Sequence, residues 1–146
     1  MSDVQSLPIE VTNEEDIARV VFSPLMVEDG EVSPSAFQLR DLHKPEDYVS
    51  VIRHNYLVPS LENIPVKHPP KGNTIFGYAL LNTGICRKIT FNDITIDVIA
   101  HPNNQYPSHA GIHFEKSKAA IKGRCTDPDF IVVTRMLANN SHLISF

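Results

Sequence analysis

The chain has 146 residues, 42% of them hydrophobic and 21% charged, which fits one domain with a real core and argues against wholesale disorder. A formal net charge of −4 weighs against the nucleic-acid backbone as a partner. No apolar run approaches the ~20 residues needed to span a bilayer, so no membrane association is expected.

Cys86 and Cys125 lie far apart without metal-type spacing, and the N-terminus has no basic start followed by an apolar run. These features predict a cytoplasmic protein with both thiols free. Eleven prolines fall at intervals along the chain, the pattern of many short elements joined by fixed turns.

Residues 1–12 read as a flexible tail and residues 13–146 as a single globular domain. Thr12 or Asn13 can cap a short helical turn holding Glu14, Glu15 and Asp16, and "ARVVF" then runs on as a strand to Ser23-Pro24. Asp29-Gly30 and Pro34 mark turns. Residues 47–58, "DYVSVIRHNYLV", are rich in Val, Ile and Tyr and predict a strand in which neither face is cleanly polar. The stretch 59–73 carries four prolines in fifteen residues, a long connection of the kind that forms binding loops.

"TIFGYALLNTG" reads as a central strand ending in a turn at 82–84, and "ICRKITF" as a further strand. "ITIDVIAH" (94–101) is the clearest strand, and "HAGIHF" (109–114) follows it. One helix is expected after Thr126 or Asp127, with Pro128 in its first turn and Phe130, Val133, Met136 and Leu137 at helical spacing. "HLISF" reads as an edge strand. Together these predict an α+β fold: a mainly antiparallel sheet or partly open barrel of five to seven short strands, with one C-terminal helix.

Three of the seven histidines fall between positions 101 and 113. His109 and His113 have the i, i+4 spacing of helical zinc ligands, but Pro107 and Gly111 disfavour a helix. On a strand that spacing is ~13 Å, too far for one ion. Pairing 94–101 with 109–114 so that both apolar faces coincide sets His101 opposite His109 and Asp97 opposite His113.

Opposed residues have Cβ atoms ~5 Å apart. His101 and His109 are therefore candidate ligands for a divalent transition metal such as zinc, with Cys125 a conceivable third ligand. Asp97 and His113 are a candidate oriented acid–base pair. The weightier reading is an ordinary solvated hairpin face.

Cys86 reads as a buried structural thiol. Arg124 and Arg53 are candidate anion-binding groups, and Lys67, His68 and Lys71 a solvated basic loop. Two functional readings follow. The first is a small binding or partner-interaction module that needs no cofactor and engages a protein partner or a second copy of itself. The alternative is a small metal-dependent or histidine-based hydrolase using the polar face of the 94–114 hairpin.

Overall fold

Asp16–Ser23 forms β1, a strand buried on both faces along most of its length, as its near-continuous apolar run requires. It lies between β4 (Val49–Arg53) and β5 (Thr74–Asn82), antiparallel to both. The fold was obtained as a computed structural model, which describes residues 7–40, 44–56, 69–104, 106–123 and 126–146.

The remaining elements follow in chain order. A two-residue hairpin of β2 (Val27–Glu28) and β3 (Glu31–Val32) turns at Asp29 and Gly30, both at positive φ. A 3₁₀ turn at Pro34–Phe37 precedes β4. After β5 come helix α1 (Thr83–Lys88), β6 (Thr90–Phe91), β7 (Ile94–Ala100), β8 (His109–Lys116), β9 (Ala119–Ala120), helix α2 (Pro128–Asn139) and β10 (His142–Ser145).

The main sheet runs β10-β5-β1-β4-β8-β7-β6, with β9 attached to β8. It is antiparallel throughout and does not close, so the fold is α+β with one C-terminal helix. The main sheet has eight strands and the hairpin two more, above the expected five to seven. The surplus consists of two-residue pieces too short to leave a periodic signal.

Strand β7 alternates cleanly, with Ile94, Ile96 and Val98 buried against the helical layer. Their partners on β8 are Lys116, Phe114 and Ile112. Phe114 meets Phe130 of α2 edge to face, with ring centres 5.0 Å apart. Helix α2 starts at Asp127, whose carboxylate accepts the Asp129 N–H and is ion-paired with Lys116.

The expectation for "ICRKITF" needs correction. Residues 83–88 are helical because the Asn82 side chain caps the turn by accepting the Ile85 N–H at 3.0 Å, and Arg87 and Lys88 fall at the negative end. Only Thr90 and Phe91 remain extended.

Residues 8–15 are fastened to the sheet. Arg53, fully buried, donates to both Glu15 carboxylate oxygens at 2.8 and 2.9 Å and to the carbonyls of Pro8 and Glu10. Val11 is buried. Among the described residues no helix is long and apolar enough to cross a membrane.

Candidate functional site

The β7–β8 hairpin pairs in the register expected from its apolar faces: Ala100 opposite Ala110, Ile99 opposite Gly111, Val98 opposite Ile112 and Asp97 opposite His113. His101 continues the pairing, its N–H donating to the His109 carbonyl at 2.9 Å. Side chains of Asp97, Ile99, His109 and His113, with the bare Cα of Gly111 between the last two, therefore share the sheet face turned away from α2.

The imidazoles that meet on this face are those of His101 and His113. Their Nε2 atoms lie 2.7 Å apart, a hydrogen bond in which one nitrogen donates and the other accepts. Burial, and for His101 the neighbouring His113 and His109, holds the His101 imidazolium below its usual titration range. Burial does the same to His113, against the opposing pull of Asp97, Asp47 and Glu115. Both rings are thus held toward their neutral forms, with one Nε2–H in the hydrogen bond between them.

His109 plays another part. Its Nδ1 lies 2.9 Å from the His101 carbonyl, which can only accept, so Nδ1 carries the proton and Nε2 the lone pair. Its ring centre is 6.5 Å from that of His101.

Tyr48, one residue before β4, covers the cluster. Its ring is stacked on His101 with centres 4.3 Å apart, and is 5.2 Å from His113 and 5.9 Å from His109. Gly111 makes room for it: a Cβ added there would stand 2.4 Å from Tyr48 Cδ2 and 3.0 Å from His101 Cδ2. A glycine inside a strand marks such close approaches, and that signal was present in the sequence. Tyr48 left no comparable trace.

Asp97 faces His113 across the ladder, but its Oδ1 accepts from Arg87 Nε at 2.9 Å and from the Val98 N–H at 2.8 Å. Arg87 also donates to the Asn13 side chain and the Val98 carbonyl. The carboxylate is therefore engaged along the edge of β7, and no hydrogen bond joins it to His113. Among the described residues no group of three or more His, Cys, Asp or Glu is arranged to hold a metal ion.

Cys86 is buried, and burial pushes its thiol up to about 12, which makes it inert as nucleophile or ligand. Arg53 is committed to Glu15 and cannot serve an external anion. Arg124, Cys125, Lys67 and His68 lie outside the described residues, as does most of the 59–73 connection; Lys71 is in an exposed turn.

The hairpin also borders a cleft. Because the His101 N–H is directed at β8, the alternation of an antiparallel ladder turns the main-chain groups of Ile96, Val98 and Ala100 to the other side. Strand β6 covers that edge only at Ile94 and Thr95. Beyond it, residues 97–100 form one wall of an open cleft of about 700 Å³, whose opposite wall is residues 9–14. Arg87 reaches across the cleft floor to Val98 and Asp97. Ile9 and Ile99, 88% and 42% exposed, flank it.

Comparison of the chain with protein-family models, with curated proteins and with solved structures finds no match in any of the three.

Proposed function

We propose that the protein is a partner-interaction module that receives an extended polypeptide segment along the open edge of β7. The observation that carries this reading is the cleft itself: among the described residues no strand pairs with β7 beyond β6, and the Ala100 main chain borders a hollow of about 700 Å³, while the Val98 N–H and carbonyl are held by Asp97 and Arg87 and have to be released. Strand addition uses these elements, with main-chain hydrogen bonds supplying affinity and alternate side chains supplying specificity.

Glu10, Glu14 and Asp97 outweigh Arg87 around the cleft, so the segment it suits carries Lys or Arg side chains. The exposed Ile9 and Ile99 add apolar contact for its alternate residues. The hydrolase reading draws less support from the site. Asp97 is turned to Arg87 and makes no hydrogen bond to His113, the bond that reading needs.

A test is the backbone amide spectrum of the protein titrated with a blocked hexapeptide of alternating Lys and Val. Shifts confined to residues 9–14 and 97–100 are expected. Ala100→Pro should abolish them, because it removes an outward N–H without taking a bond from the β7–β8 ladder. Shifts centred elsewhere, or an unaffected Ala100→Pro variant, would exclude strand addition at this edge.

A further inference from the structure

We propose that His101 and His113 bind one divalent transition-metal ion between their Nε2 atoms, the donor ring's proton passing by exchange with water from Nε2 to its own Nδ1 so that both rings ligate as neutral imidazoles. This site differs from the His101–His109 pair read from register alone, and it does not depend on the strand-edge reading. Two imidazoles on one tetrahedral ion, with metal–nitrogen bonds of ~2.0–2.1 Å, place their nitrogens roughly 3.3 Å apart and their ring centres roughly 5.2 Å apart. The ring centres of His101 and His113 stand 5.0 Å apart already. Only the nitrogens, at 2.7 Å, are too close, as a hydrogen bond makes them. Each ring therefore has to pivot about its own centre, opening the nitrogen–nitrogen gap by about half an ångström, with no shift of backbone.

The surroundings favour that exchange. Tyr48 stacks on His101 and holds its plane, and His113 projects from the middle of β8, where a regular ladder joins that strand to β7. Rigid elements of this kind limit the ordering cost of binding. His109 stands outside the site: its Nδ1 is taken by the His101 carbonyl and its ring centre lies 6.5 Å from that of His101. Two imidazoles are borderline ligands, so the ion is copper, nickel or zinc rather than calcium or magnesium, with Cu²⁺ held most tightly of the divalent series. Its other coordination positions open outward to water.

The experiment is a titration of the tag-free full chain with Cu²⁺, followed by calorimetry and by electron paramagnetic resonance, with Zn²⁺ and Mg²⁺ in parallel. A single site with hyperfine coupling to two imidazole nitrogens is expected, with Zn²⁺ binding more weakly and Mg²⁺ not at all. His101→Gln and His113→Gln should each weaken Cu²⁺ by at least about tenfold, the least that loss of even a supporting residue costs a metal site. His109→Gln should leave the spectrum and affinity as they were. Equal binding by the wild type and both ligand variants, coupling to fewer than two nitrogens, or a loss in His109→Gln as large as in the others would each overturn the assignment. The nitrogen count is read on the wild type and stands even where a variant fails to fold.

Discussion

Strand β4 touches two polar pairs, one at each end, and they are opposites. At its C-terminal end Arg53 is sealed into the core with Glu15, and two backbone carbonyls take two more of its five donors. Just before its N-terminal end Tyr48 rests on His101 and His113, two half-buried rings joined by one hydrogen bond. In the first pair all three guanidinium nitrogens and both carboxylate oxygens have partners inside the protein. The second is joined by a single exchangeable bond. The contrast separates a polar pair that holds the fold together from one that can change partner without disturbing it.

That contrast is open to direct attack. Arg53→Met leaves Glu15 as a buried carboxylate without its partner and should cost roughly 3–5 kcal/mol in denaturant unfolding, whereas Arg53→Met with Glu15→Met together should recover most of the loss. A double variant as unstable as the single one would show that the backbone contacts, and not the charge pair, carry the effect. Gly111→Ala pushes a methyl group into Tyr48 and should cost about 1–3 kcal/mol, with a change in the tyrosine near-ultraviolet signal.

The pH dependence of the buried pair has a definite sign. Burial pulls the Glu15 carboxyl up, but the Arg53 hydrogen bonds, the Thr12 N–H and the Arg53 charge together outweigh it and hold it below the usual 4.5. Its contribution to stability is therefore full above about pH 4.5 and drains away as pH falls through the lower folded value. The stability gap between wild type and Glu15→Gln should be constant near neutrality and shrink in acid; a gap that widened in acid would reverse the assignment. The smallest effect belongs to the exposed edge, where Asp97→Asn keeps the bond to the Val98 N–H and loses only the pairing with Arg87. It should shift stability by less than about 1 kcal/mol, measured in the same unfolding experiment.

The elements most legible in the sequence were those whose pattern is enforced by one buried face. Ile94, Ile96 and Val98 against Ala110, Ile112 and Phe114 define the hairpin register, because a slip by one residue would expose the whole set. The helix at 128–139 was equally clear from Pro128 and its apolar spacing. Helix α1 was hidden because its cap, Asn82, sits at the end of a strand and its short body carries β-branched Ile85. Arg53 read as a candidate anion-binding group because its carboxylate partner lies far away in sequence, on another strand's approach.

The histidine cluster was half legible. Register brought His101 and His109 face to face, but which rings touch depends on side-chain direction, and there His101 leans along the strand to His113. Tyr48 was out of reach because it arrives from a different hairpin altogether. Arg87 was out of reach for the same reason, since the helix that carries it was not foreseen.

The strand order also bears on the sequence of events by which the chain reaches this state. Strands β6, β7 and β8 follow one another and pair with one another, so they close through short loops. Strand β1 must instead wait for residues 49–53 and 74–82, whose pairing closes much longer loops and costs more chain entropy. The histidine hairpin is thus the portion able to assemble early, by local encounters alone. Tyr48 reaches it only when β4 docks, which makes the stacking of that ring on His101 a late event and its fluorescence a clock for the second half of folding.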